Sequence, residues 1–206
     1  MPFPRDAQRM KPKQTNIERF SGHVSSGDRA ALLGQRPLTV WLTGLSASGK
    51  STIGYALERR LLSLGHACYV LDGDNLRHGL NRDLGFSVTE RRENIRRTAE
   101  MAKLLNDAGL IVIAALISPR RDDRAMAREI IGDSLFVEIY LSTPLDTCEQ
   151  RDPKGLYARA RCGEIAEFTG ISAPYETPLD PDLTFDTSRT EIHASVSLIV
   201  EHLQSR

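Results

Sequence analysis

At 206 residues, 40% hydrophobic and 26% charged, the chain is long enough for one domain with a real core plus an arm or a lid, and two full domains would be crowded. Its 27 basic and 27 acidic residues balance to zero, which excludes a general nucleic-acid-binding or anionic-membrane surface. No run approaches the ~20 apolar residues of a membrane span, the start lacks the apolar core of a secretory signal, and Cys68, Cys148 and Cys162 are odd in number and widely spaced. Reduced thiols and a cytoplasmic location are the expectation.

Residues 1–22, with Pro2, Pro4 and Pro12 among scattered charges, are expected to form a flexible arm ahead of a single domain over 23–206. Residues 26–33 suit a short helix capped by Ser26, before Gly34 and Pro37 break the pattern. Residues 38–43 read as a buried strand, followed by a helix whose Ile53, Leu57, Leu61 and Leu64 recur at helical spacing up to Gly65. A second strand over 67–71 ends on Asp72-Gly73-Asp74. A long helix over about 90–108 places Ile95, Ala99, Ala102 and Leu105 on one side and stops at Gly109. The unbroken apolar run 110–117 is that of a central parallel strand buried on both faces. A strand over 135–141, a short helix over 145–150, a last strand near 183–185 and a terminal helix over 191–203 complete the series. Such alternation predicts an α/β fold: a five-stranded parallel sheet with helices on both faces and ligands at the carboxyl ends of the strands. Residues 151–182 break the rhythm with glycines, prolines and charges, and an irregular insert of this length points to a lid, placed at about 151–178.

Gly44-Leu45-Ser46-Ala47-Ser48-Gly49-Lys50-Ser51 matches G-x-x-x-x-G-K-[ST] between a strand and a helix, the context a phosphate-binding loop requires. The two glycines let backbone N–H groups approach phosphate oxygens, and the helix N-terminus adds partial positive charge. Lys50 is placed to reach the β- and γ-phosphates of ATP, Ser51 to put a hydroxyl on Mg²⁺, and Thr52 to close the ATP-binding segment.

Asp72 and Asp74 flank a glycine at the same sheet edge, a pattern suited to a metal-water network or to a base for an acceptor hydroxyl, with a tight turn with capping aspartates as the lesser alternative. Arginines 77, 82, 91, 92, 96 and 97 follow, and a guanidinium fork matches phosphate or sulfate oxygens. Arg77 and Arg91 are the expected ligands and the others surface. Phe86 and Phe168 lie in glycine-flanked polar loops, where they serve either as two faces of a base-stacking slot or as loop anchors. Ser118, after the central strand, is open to capping the next helix, binding substrate or accepting phosphate.

The phosphate loop alone does not choose among kinases. Taken together with Asp72-Gly-Asp-Asn-Leu-Arg-His-Gly-Leu80, Asn81-Arg-Asp-Leu-Gly-Phe-Ser87, Glu93-Asn-Ile-Arg-Arg97, Ile117-Ser-Pro119, Arg151-Asp-Pro-Lys-Gly-Leu-Tyr157 and Glu167-Phe-Thr-Gly-Ile171, it resembles the adenylyl-sulfate kinase (APS kinase) family over residues 23–187. The resemblance implies a three-layer P-loop NTPase fold and phosphorylation of the 3′-hydroxyl of adenosine 5′-phosphosulfate by ATP with Mg²⁺. It implies Asp72 and Asp74 near the acceptor hydroxyl, Asp74 and Ser51 at the metal, and Arg77, Arg91 and Asn94 on the phosphosulfate and ribose. Phe86 and Phe168 would sandwich the adenine, Lys154 would belong to the lid, and Ser118 matches a serine that some bacterial members are reported to phosphorylate. A homodimer and functional coupling to an ATP sulfurylase are implied as well. Two departures stand out: Arg120 takes the place of a usual aromatic, and Ala47 takes the place of a frequent glycine, expected to be harmless.

Overall fold

The computed structural model describes Glu18, Phe20 and residues 22–206, so the arm expected over 1–22 lies almost wholly outside the described residues. Five strands, β1 (Thr39–Gly44), β2 (Cys68–Asp72), β3 (Ile111–Ala115), β4 (Phe136–Leu141) and β5 (Leu183–Phe185), form one sheet in the order β2-β3-β1-β4-β5. Every pairing is parallel, with Trp41 of β1 opposite Ala114 on one side and Glu138 on the other. The expected parallel five-stranded sheet is therefore present.

Alternate residues of β1 and β3 serve two cores. Val40, Leu42, Ile113 and Ala115 pack against Ile53, Leu57 and Leu61 of α2 (Lys50–Ser63) and Val196 and Ile199 of α8 (Ile192–Gln204). Trp41, Val112 and Ala114 pack on the opposite face against Ile95, Ala99 and Ala102 of α4 (Val88–Asp107) and Ala127 and Ile131 of α5 (Arg121–Ile131). With both sheet faces covered, the strands carry continuous apolar runs instead of alternation. Among the described residues no helix is long and apolar enough to cross a membrane.

The helix starts differ from expectation. Ser25, not Ser26, caps α1 (Ser26–Leu33), because its side chain and that of Asp28 close a reciprocal capping box. Ser87 and Glu90 do the same for α4, which thus starts at Val88. Asp72-Gly-Asp forms a helix start: the Asp72 carboxylate accepts from the amides of Asp74 and Asn75 at the head of α3 (Gly73–His78). Ser118 does not cap α5, whose cap residue, Arg120, makes no side-chain cap bond. Within 151–178 only α7 (Leu156–Arg161) is regular beyond the end of α6 (Leu145–Arg151), and Tyr157, Ala160 and Phe168 form a third small core with Cys148.

Candidate active site

The loop from Gly44 to Gly49 leaves the carboxyl end of β1 and enters α2. A Cβ on Gly44, at φ +151°, would meet the Leu141 carbonyl at 2.7 Å and Ser48 Oγ at 2.8 Å, so the turn admits only glycine. Ala47 sits at φ 57°, in the left-handed region, which costs an alanine about 1–2 kcal/mol relative to glycine's indifference. The replacement is tolerated at a cost, and the expectation of no effect is corrected to that extent.

Lys50 is buried, with Nζ donating to the carbonyls of Gly44 (3.0 Å) and Leu45 (2.5 Å). Burial pushes its amine down to about 8, opposed by the nearby carboxylates of Asp72 and Asp74. The Ser51 hydroxyl donates to Asp72 Oδ2 at 2.6 Å, while the other oxygen of that carboxylate holds the head of α3. The structure thus places Ser51 against Asp72 and not against Asp74. Asp74 lies one position into α3, exposed, and pairs with Lys154 reaching over from residues 151–178.

Behind the loop is a brace that sequence reasoning missed. The hydroxyls of Thr143 and Thr187 lie 3.2 and 3.0 Å from the Ser48 carbonyl. Arg151 donates to Thr187 Oγ1 (2.7 Å) and to its carbonyl (2.8 Å), and Tyr157 OH donates to the Ser46 carbonyl (3.0 Å). Arg151 and Tyr157 fall inside a quoted motif; nothing in the sequence marks the threonines.

The facing wall is built from the loop before α4. Arg77 donates to the carbonyls of Leu84 (3.0 Å) and Gly85 (2.8 Å), and its guanidinium lies 4.3 Å from the Phe86 ring centroid. Arg91 donates to the Phe86 carbonyl (2.7 Å) and to that of Glu167 (3.2 Å), tying the loops that carry Phe86 and Phe168. Phe86 is 59% exposed, whereas Phe168 is 8% exposed and edge-on to Tyr157 with centroids 5.0 Å apart. Arg92 pairs with Asp123, and Arg96 and Arg97 pair with Glu93, so these three do not face the cavity.

Both walls enclose one cavity of about 1230 Å³. Lys50, Ser51, Asp72, Asp74, Arg77, Phe86, Arg91, Asn94, Ser118, Lys154 and Phe168 all line it, together with Ser46, Ala47, Gly49 and Thr52. Gly44, Leu45 and Ser48 lie outside that lining. Ser118 is at the floor, 2% exposed, with Oγ accepting from the indole of Trp41 (3.1 Å) and donating to Thr43 (2.9 Å).

Residues 36–186 match the family model described as adenylylsulphate kinase. The chain belongs to the adenylylsulphate kinase family. It is 53% identical over 189 residues to an adenylyl-sulfate kinase of Shewanella sp. (strain MR-7), covering 92% of each chain. It is 57% identical over 183 residues to the bifunctional enzyme NodQ of Rhizobium tropici, covering 89% of this chain and 29% of that one. The structure of the Mycobacterium tuberculosis APS kinase CysC in complex with AMPPNP and APS superposes with a TM-score of 0.79 at 51% identity, over 82% of this chain and 98% of that one. Membership makes this chain an ATP-dependent kinase.

Proposed function

We propose that this chain transfers the γ-phosphoryl group of ATP to the 3′-hydroxyl of adenosine 5′-phosphosulfate, giving 3′-phosphoadenosine 5′-phosphosulfate and ADP. The observation that carries this reading is the single cavity with a phosphate loop on one wall and, on the other, an aromatic and arginine wall sized for a second nucleotide, in a chain of this family. ATP phosphates replace the Gly44 and Leu45 carbonyls as partners of Lys50, and loop N–H groups neutralise the transferring group. Adenine stacks between Phe86 and Phe168, and Arg77, Arg91 and Asn94 take the phosphosulfate and ribose.

The two aspartates divide the work. Asp72 is engaged at both oxygens, by Ser51 and by the head of α3, whereas the only partner of the Asp74 carboxylate among the described residues is Lys154. Asp74 therefore orients and deprotonates the 3′-hydroxyl once Lys154 turns to phosphate oxygens. Among the described residues no cluster of three carboxylate, histidine or cysteine ligands stands ready for a metal. That suits Mg²⁺, which is held by one or two carboxylates plus substrate phosphates. Ser51 and Asp72 would hold it, and it would supply charge neutralisation for the ATP phosphates. Residues 151–178 serve as a lid that excludes water as a competing acceptor. Exposed Leu32, Leu33 and Leu104 on the adjoining α1 and α4 support a homodimer, tested by light scattering.

ADP release measured over a panel of acceptors tests the reaction. Turnover with adenosine 5′-phosphosulfate is expected; turnover restricted to shikimate, gluconate or a nucleoside monophosphate would overturn it.

A further inference from the structure

Asn81 is fully buried, lies outside the cavity lining, and has no role in the reaction described above. Its backbone is fixed on both sides: its N–H donates to the Leu76 carbonyl (2.8 Å) and its carbonyl accepts from Leu84 N–H (3.1 Å). Its side-chain Nδ2 donates to Asn94 Oδ1 at 2.9 Å in a buried contact. Its own Oδ1 has no partner among the described residues.

We infer that Asn81 is a positioning residue, which fixes the amide of Asn94 with its NH₂ toward the acceptor nucleotide. The inference rests on the assignment of Asn94 to the acceptor. An asparagine amide is symmetric in shape but not in chemistry: one end accepts, the other donates twice. Asn94 is anchored in α4 and lines the cavity, and Asn81 occupies its carbonyl end. The opposite end, Nδ2, meets no protein partner among the described residues and is not a sealed orphan, so it opens to the cavity. Arg77 and Arg91 line the same wall, and a third donor there extends the recognition of an oxygen-rich, anionic ligand. A carbonyl in its place would face substrate oxygens with a lone pair.

The unpaired Asn81 Oδ1 decides between the two ways of arranging the pair. With both amides reversed, Asn81 Oδ1 would accept from Asn94, and the buried leftover would be an NH₂ carrying two unmet hydrogens. An under-satisfied carbonyl oxygen is the lesser penalty and the commoner sight in folded proteins. The pair therefore settles with donors pointing from Asn81 to Asn94 and from Asn94 to the cavity. Asn81 selects a substrate it never touches, through a partner thirteen residues along the chain, a separation the hydrogen bond itself records.

Two measurements test this. In the ligand-free wild-type protein, a scalar coupling across the hydrogen bond from Asn81 ¹⁵Nδ2 to Asn94 ¹³Cγ is expected; the reverse coupling, from Asn94 ¹⁵Nδ2 to Asn81 ¹³Cγ, or none in either direction, would overturn the proposed orientation. In kinetics, Asn81→Asp, which when ionised can only accept, should turn the Asn94 carbonyl to the cavity and raise the acceptor KM about tenfold or more at a pH where that carboxyl is ionised, with the ATP KM moving by less than about twofold. Asn81→Ala, which adds no buried charge, should show the same bias with a smaller factor, and it carries the test if the aspartate variant fails to fold. In an Asn94→Ala background neither change should add to the acceptor KM, since Asn81 acts through Asn94. Equal rises in both KM values, or factors that multiply unchanged in that background, would show a merely structural role. If the wild type fails to phosphorylate adenosine 5′-phosphosulfate, the acceptor assignment falls, and the coupling still decides the orientation of the amide.

Discussion

The phosphate-loop wall of the cavity is internally satisfied, with buried Lys50 on loop carbonyls, Ser51 on Asp72, and Thr143, Thr187 and Tyr157 bonded from behind. The facing wall is looser: Phe86 is largely exposed, and the exposed side chains of Asp74 and Lys154 hold only each other among the described residues. The first wall is preorganised for a group every P-loop kinase binds, so substitutions there should strike the chemical step. In the proposed reaction the second is completed by its ligand, so substitutions of its arginines and aromatic rings should strike acceptor affinity, whereas loss of Asp74, the proposed base, should strike kcat.

The sharpest way to break that contrast is Lys50→Ala. Removing a preorganised cation from the transferring phosphoryl group is expected to lower kcat by about 10²–10³-fold at saturating substrates, as for loss of a single transition-state donor. A loss confined to the ATP KM would instead place Lys50 in ground-state binding alone. On the facing wall, Phe86→Ala should remove about 1–3 kcal/mol of base stacking, raising the acceptor KM roughly fivefold to a hundredfold with no change in melting temperature. Phe168→Ala should cost similar affinity and also loosen the small core it shares with Tyr157, Ala160 and Cys148, read as faster amide exchange over 156–173. Identical behaviour of the two variants would dissolve the distinction between an exposed stacking face and a buried one.

The two walls were also unequally legible in the sequence. The loop is local: eight consecutive positions, set between a strand and a helix, carry both conformation and chemistry. β1 and β3 declared themselves because strands buried on both faces carry near-continuous apolar runs. α3 did not, since Asp72-Gly-Asp reads as a metal or base site, or a turn, until the Asp72 carboxylate is seen capping the helix. α5 was not marked out as an element of its own, because buried Asp123 and Arg124 interrupt its apolar stripe and are held by Arg92 and Glu138 from other elements. Thr143 with Thr187, and Asn81 with Asn94, are short polar residues far apart in the chain, and no spacing rule pairs them. The resemblance supplied the residue types of the facing wall; Arg91 joining the Phe86 and Glu167 carbonyls required coordinates.

The pH response sharpens the comparison on the buried side. With its amine lowered to about 8 by burial, Lys50 is partly neutral in the free protein above that pH. Bound phosphates favour the charged form, so ATP binding at pH 8–9 should take up a proton, and affinity should fall by up to about tenfold per pH unit above the free-protein value. Calorimetry in two buffers of different ionisation enthalpy measures the uptake; none would place Lys50 fully charged before ATP arrives. The sign for stability is opposite. The unfolded chain, with its lysine at 10.5, holds more protons between pH 8 and 10.5, so this group's contribution to folding rises with pH across that window.

The smallest expected effect is at Ser118, where the two walls meet. A serine that carries phosphate needs an accessible Oγ and a base to take its proton. Ser118 is 2% exposed, gives its proton to Thr43 and receives the Trp41 N–H, and its carbonyl is held by buried Arg124 at 2.7 Å. Attack on the γ-phosphate would break both side-chain bonds and strand the only indole N–H of the chain, whereas direct transfer between adjacent substrates needs neither step. Ser118→Ala is accordingly expected to keep kcat within about twofold while costing about 1–3 kcal/mol of stability from the unpaired indole. Trp41 fluorescence during denaturation reads the second quantity and steady-state turnover the first. Loss of turnover with an unchanged unfolding midpoint would make Ser118 a phosphate carrier and would move the chemistry from the cavity's walls to its floor.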